Sequence, residues 1–274
     1  MPYLKAESGI QWYFQEKGEG EILLLIHGWS FDSSIWTKQI DFLSRDYKVI
    51  AIDLPGHGLS EYKAGVDIAS DLLSLIKKTN YEDLTVIGHS FGGVLALKLV
   101  MQNPVLFKRL ILVNSSPKFL NAGGVRLGLD DKDVLKMQDF LEDKYPEILL
   151  VFYRWLFTEK ERKMSCFKDA WRLVSDRKQW PQKQALAYFL SMIEQTDLTG
   201  SLEEINIPTL IIYSSSDPIC SEDAAKFMKE RIKNSTLKRF EGGHLPFLMY
   251  EEEFFSMFEA KPRTEDLNEY QFTK

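Results

Sequence analysis

The chain has 274 residues, 45% apolar and 27% charged, with a net charge of −6. That composition describes a folded globular protein with an ample core and argues against disorder and general nucleic-acid binding. Its two cysteines, Cys166 and Cys220, are too few for a disulfide framework and sit in no zinc-type spacing. Residues 1–8 lack the apolar stretch of a signal peptide, and no apolar run approaches the roughly 20 residues of a membrane span. A soluble, cytoplasmic protein with no membrane or nucleic-acid partner is expected.

Residues 9–15 alternate between polar and apolar, which predicts an early strand. Residues 21–26 (EILLLI) form a continuous apolar run that stops at His27-Gly28, the pattern of a strand buried on both faces of a parallel sheet. Further runs at 49–53, 84–87, 110–113 and 209–213 predict more such strands, and 235–241 closes the series. Helical spacing fills the intervals at 66–78, through Ile68, Leu72, Leu75 and Ile76, and at 91–102. Strands alternating with helices mean βαβ crossovers, hence an α/β fold with a mostly parallel central sheet flanked by helices.

The alternation stops between residues 118 and 197. Residues 131–157 and 181–195 carry helical patterns, the second with Pro181 at a first-turn position, and Trp171 marks a shorter helix. The expected organisation is a core of 1–117 and 198–260, a helical cap or lid over 118–197 inserted before the last two strands, and a polar tail at 261–274. A cap there overlies the C-terminal edge of the sheet, where open α/β sheets bind ligands. Residues 151–190 hold nine Lys and Arg against four acids, a local +5 that leaves the rest at −11. Two readings stay open: a landing surface for an acidic partner, or solvated helix faces.

Gly88-His89-Ser90-Phe91-Gly92 fits G-x-S-x-G between a buried strand and an amphipathic helix, the context in which that motif makes a nucleophile elbow. The sharp turn strains the serine and exposes its hydroxyl, and the flanking glycines let the chain pack that closely. A serine hydroxyl needs a base. Of the four histidines, His244 follows Gly242-Gly243 beyond the last strand and is the best placed; His27 ends a strand beside Gly28, His57 lies in the Pro-Gly-His-Gly loop, and His89 is within the elbow, its side chain directed away from that of Ser90. The base needs an acid, and Asp217 follows the strand at 209–213. The chain order Ser, Asp, His is that of the α/β-hydrolase triad. Asp197 and Asp223 compete less well, since one precedes the strand and the other starts a helix. Asp53 suits hydrogen bonding in the Pro55–Gly58 turn. For an oxyanion, the N–H groups of Phe91 and Trp29 are the expected donors, and the Trp29 indole is a candidate wall of the site.

On these segments, with Asp53-Leu54-Pro55-Gly56-His57-Gly58 and His244-Leu245-Pro246-Phe247, the whole chain resembles the α/β-hydrolase superfamily. Within it the chain is most similar to the pimeloyl-[acyl-carrier protein] methyl ester esterases of biotin synthesis. The segments 113–119 (VNSSPKF), 128–130 (GLD) and 133–135 (DVL) carry that narrower likeness. One departure is the elbow, where close members often carry Trp before and Leu after the serine. The resemblance implies hydrolysis of a methyl ester on a carrier-bound acyl chain; this chemistry needs no metal or organic cofactor, and a monomer is expected. It implies basic cap residues that hold an acidic acyl carrier protein, for which Arg154, Arg162 and Arg172 are candidates, and an acyl-chain wall at Phe152. The same triad would serve a general carboxylesterase or a carbon–carbon bond hydrolase acting on a free small molecule. A non-enzymatic hydrolase-like binding scaffold would require a broken triad.

Overall fold

Each strand expected from the sequence forms. The computed structural model describes residues 2–121, 124, 126–177 and 179–258. In chain order the first half runs β1 (Tyr3–Lys5), β2 (Gln11–Lys17), β3 (Glu21–Ile26), α1 (Thr37–Leu43), β4 (Tyr47–Ile52), α2 (Ile68–Lys78), β5 (Leu84–His89), α3 (Phe91–Gln102) and β6 (Phe107–Val113). The helices α4 (Asp131–Lys144), α5 (Glu147–Trp155), α6 (Phe167–Ser175) and α7 (Lys183–Gln195) come next. The chain then makes β7 (Thr209–Ser214), α8 (Glu222–Arg231), β8 (Ser235–Phe240), α9 (Pro246–Met249) and α10 (Glu251–Phe255).

The eight strands form one sheet in the order β1-β2-β4-β3-β5-β6-β7-β8, antiparallel where β2 meets β1 and β4 and parallel elsewhere. The most continuous apolar segments take the middle. Every residue of β5 is buried, between β3 and β6, and α3 buries nine residues against that centre. The amphipathic α2 begins where Asp67 accepts hydrogen bonds from the Ala69 and Ser70 N–H groups, and Lys77 and Lys78 complement its C-terminal dipole. Because β3 to β8 run parallel, the loops after β3, β5, β7 and β8 converge on one edge of the sheet.

The helical insert between β6 and β7 departs from expectation in two places. The single helix expected over 131–157 is two, because Pro146 lacks an N–H and disfavours helical geometry in the residue before it; Tyr145 is extended (φ −72°, ψ 137°). The helix expected from Pro181 begins at Lys183, with Gln182 as its N-cap. Two smaller differences lie elsewhere. The short edge strand β1 has no apolar run to announce it. Asp223 lies in the first turn of α8, but Ser221 caps it by accepting from the Ala224 N–H. The expected polar tail at 261–274 lies outside the described residues. Among the described residues no helix is long and apolar enough to cross a membrane.

Candidate active site

β5 ends at His89 and α3 begins at Phe91, so Ser90 alone makes the turn, at φ 53° and ψ −122°. A non-glycine residue in that region is strained and persists only where its surroundings fix it. Here they do. The Ser90 N–H donates to the Val113 carbonyl at 2.9 Å, and the Ser115 hydroxyl donates to the Ser90 carbonyl at 2.8 Å. A Cβ on Gly92 would collide with the Ile26 and His27 carbonyls, so α3 is pressed directly onto the end of β3. Ser90 lines a small cavity of about 30 Å3 together with His244, Trp29, Phe31, Phe119 and Phe152.

Asp217 follows β7 and His244 follows β8, and the structure joins them. His244 Nδ1 lies 2.7 Å from Asp217 Oδ2, with both side chains almost fully buried. The other carboxylate oxygen accepts the Ile219 and Cys220 N–H groups at 2.8 and 3.0 Å, so both oxygens are engaged and the orientation of the acid is fixed. This pairing makes Nδ1 the protonated nitrogen and leaves Nε2 as the acceptor. The remaining histidines are engaged elsewhere. His27 donates from Nδ1 to the Gly28 carbonyl and accepts the Leu54 N–H at Nε2, and burial lowers it to about 4. His57 bonds the Pro55 carbonyl and is lowered by burial to about 3. His89 donates to the His244 carbonyl at 3.0 Å and is held well below 6.5 by burial and by His244. Asp53 accepts the Ser33 and Leu59 N–H groups and the competing Asp197 pairs with Lys118, so both acids have local partners. Cys220 places its sulfur within 4.8 Å of the Asp217 and His244 ligand atoms, the one His/Cys/Asp/Glu cluster among the described residues that could gather around an ion. Its thiol is pushed well up by burial and by Asp217, and the other two groups already serve each other.

The loop after β3 passes close to the elbow: a Cβ on Gly28 would sit 3.0 Å from Ser90 Cβ and from His89 Nδ1. Among the described residues neither the Trp29 nor the Phe91 backbone N–H donates to a protein acceptor, which leaves two free donors beside the serine. The Trp29 indole donates to the Leu186 carbonyl at 3.0 Å and meets Phe152 edge-on at 5.1 Å. An apolar pocket of about 160 Å3, lined by α4 and α5, shares Trp29, Met137 and Phe152 with the serine cavity. Its outer lining includes the exposed Phe140, Val151 and Trp155.

The basic segment is less uniform than its sequence suggests. Arg154 and Arg172 are exposed, the latter 3.8 Å from Asp169, while Arg162 is tied to the Phe157 carbonyl at 2.6 Å. Arg177, counted with the basic segment, offers nothing to a partner: its side chain is 2% exposed, bonded to Asp32 at 2.8 Å, and lies 5.3 Å from the Phe31 and Tyr153 rings. Lys178 lies outside the described residues. Sequence reasoning also passed over Glu161, a fully buried acid whose Thr158-x-x-Glu161 spacing is a capping-box signal.

Topology and sequence define the class together. The family model for the alpha/beta hydrolase fold matches residues 21–249, and the chain belongs to that family. Among curated relatives, it is 28% identical to the pimeloyl-[acyl-carrier protein] methyl ester esterase of Nitrosospira multiformis, over 89% of this chain and 95% of that protein. It is 29% identical to the protein of the same name from Nitrosomonas europaea, over 90% and 98%. Among solved structures, an esterase from Exiguobacterium antarcticum superposes with a TM-score of 0.85 at 25% identity, covering 93% of this chain and 97% of that one. An enol-lactonase from Burkholderia xenovorans shares the fold, with a TM-score of 0.81 at 18% identity over 94% and 98% of the two chains.

Proposed function

We propose that the chain is a serine carboxylic-ester hydrolase of biotin synthesis that demethylates a pimeloyl chain carried on an acyl carrier protein. Ser90 is the nucleophile, His244 the general base and Asp217 the group that orients it. A strained serine opening on the same cavity as an imidazole held by a buried carboxylate carries this reading. The Ser90 oxygen attacks the ester carbonyl carbon as its proton passes to His244 Nε2. Charge gathering on the carbonyl oxygen is met by the Trp29 and Phe91 N–H groups, and the helix dipole of α3 acts in the same sense. The tetrahedral adduct collapses, the carbon–oxygen bond to the methoxy group breaks, and His244 returns the proton so that methanol leaves. Water then adds to the acyl-serine by the same route and frees the carboxylate and Ser90.

The insert between β6 and β7 acts as a lid. Its apolar pocket beyond Trp29 and Phe152 suits a slender acyl chain, whose far end would emerge near the exposed Phe140, Val151 and Trp155. The names of the Nitrosospira and Nitrosomonas relatives support the methyl ester and the carrier. The exposed Arg154, Arg172, Lys160 and Lys168, with the half-buried Arg162, are the cations an acidic carrier would meet.

Two measurements test this. A fluorophosphonate probe labels the wild type and not Ser90→Ala; a folded wild type that takes no label refutes the nucleophile. A methyl pimeloyl-carrier conjugate is hydrolysed faster than p-nitrophenyl butyrate at low salt, and the preference shrinks as salt screens the contact. Equal preference at both salts refutes the carrier, and faster turnover of the free ester throughout favours a general carboxylesterase.

A further inference from the structure

Glu161 is 0% exposed and sits at the start of a short 3-10 turn, Glu161–Lys163, in the insert. With Thr158 it makes a reciprocal capping box: the Thr158 N–H donates to Oε2 at 2.7 Å, and the Glu161 N–H donates to Thr158 Oγ1 at 3.1 Å. A capping glutamate ordinarily lies at a surface turn, and this one is sealed from water. Among the described residues no cation lies within 4.0 Å of it. Leaving a charge buried and unpaired is costly unless hydrogen bonds replace its hydration.

The remaining donor comes from 82 residues away. The Gly243 N–H lies 3.0 Å from each Glu161 oxygen. The next N–H, that of His244, donates to the Leu156 carbonyl at 2.8 Å. The insert therefore grips two consecutive peptide N–H groups leading into the imidazole. The glycine pair makes room for the grip: a Cβ on Gly242 would strike Glu161 Oε1, and one on Gly243 would meet the Leu156 carbonyl. From the core side, Asn114 Nδ2 donates to the Gly243 carbonyl at 3.1 Å and His89 Nε2 to the His244 carbonyl at 3.0 Å. Of these holds, only Glu161 brings a full charge, and charge-assisted hydrogen bonds are roughly twice as strong as neutral ones.

We propose that Glu161 is a positioning residue for His244, through which the insert sets the reactivity of Ser90. The inference rests on the serine-hydrolase reading above and adds a residue to it. Displacing a catalytic group by about 1 Å can cost on the order of a hundredfold in rate. Glu161→Gln keeps the shape and one acceptor but loses the charge. Its kcat on p-nitrophenyl butyrate falls about tenfold or more while KM stays within about twofold, and the rate of fluorophosphonate labelling of Ser90 falls in parallel. Thr158→Ala is the control. It removes the hydroxyl half of the box, leaves the carboxylate on Gly243, and lowers Tm with kcat near wild type. A folded Glu161→Gln protein with wild-type kcat and labelling rate overturns the proposal. So does an equal loss of kcat in Glu161→Gln and Thr158→Ala, which would make turn stability the cause. A wild type that takes no label overturns the serine-hydrolase reading and this inference together, whereas a labelled wild type with an indifferent Glu161→Gln overturns this one alone.

Discussion

Acidification between pH 6 and pH 5 is expected to destabilise this protein steeply, because three of its four histidines are buried as neutral rings. His27 is lowered by burial to about 4, His57 by burial to about 3, and His89 lies well below 6.5. In the unfolded chain all three titrate near 6.5. A base whose folded pKa is depressed contributes stability that is full above the unfolded pKa and is lost as pH falls toward the folded one. Asp53 acts in the opposite sense. Burial raises it to about 6, so its contribution is full below the unfolded value near 3.8 and is lost as pH rises through 6. In the window between pH 6 and 5 the unfolded chain thus holds about two more protons on His27 and His57, with His89 acting in the same direction, and the folded chain about one more on Asp53. The net of about one proton from the first two rings and Asp53 gives a slope of about 1.4 kcal/mol per pH unit, which His89 steepens, stability falling with acid. Urea unfolding at pH 7, 6 and 5 measures it directly. His57→Phe, placed against the Phe189 ring 5.0 Å away, removes one titrating group and reduces the slope by about 1.4 kcal/mol per pH unit. A wild-type stability flat from pH 6 to 5, or a slope that His57→Phe leaves unchanged, refutes the buried neutral imidazoles.

Other expectations concern the parts that hold the site together. Asp32→Asn strands Arg177, whose side chain is 2% exposed, and removal of one partner of a buried pair costs about 3–5 kcal/mol. At about 2 °C per kcal/mol for a chain of this size, Tm falls about 6–10 °C. Asp32→Asn/Arg177→Met is less destabilised than the sum of the single changes, and strict additivity would deny the pair. Gly92→Ala drives a methyl group into the Ile26 and His27 carbonyls, so it yields insoluble protein or a large Tm loss, while wild-type Tm and activity would contradict the close approach of α3 to β3. Phe152→Ala enlarges the wall beside Trp29 and raises KM for long-chain esters several-fold more than for acetates with kcat little changed; equal effects on all chain lengths would place the acyl chain elsewhere.

The elements that position the site were legible because they rest on short-range patterns. Residues 21–26 form the strand their apolar run predicts, and 91–102 the helix predicted after the elbow. Asp217 and His244 were found by their places after strands of a parallel sheet, whose topology sends those loops to a common edge. The break at Pro146 is a local signal as well, set within apolar spacing that runs on through α5. What the sequence hid were contacts made across the fold. Arg177 looks like one more surface cation until Asp32, 145 residues away, is packed against it under two aromatic rings.

The two hidden contacts share a geometry that local patterns cannot carry. Each joins the insert to a core loop bearing part of the proposed machinery. Arg177 meets Asp32, three residues beyond Trp29, and Tyr153 reinforces that anchor by donating to the Ser30 carbonyl at 2.8 Å. Glu161 meets Gly243, one residue before His244. Both are charges withdrawn from water, which a lid serving only to shed solvent would not need, since apolar contacts do that without a desolvation cost. Charged anchors have direction where apolar packing has little, so they fix the loops they hold in orientation as well as in place. Exchanging the insert for one of similar apolar content that lacks Glu161 and Arg177 should therefore leave a folded chain with a slow triad. If such a chimera retains wild-type labelling at Ser90, the core alone orients the site and the two buried charges serve stability only.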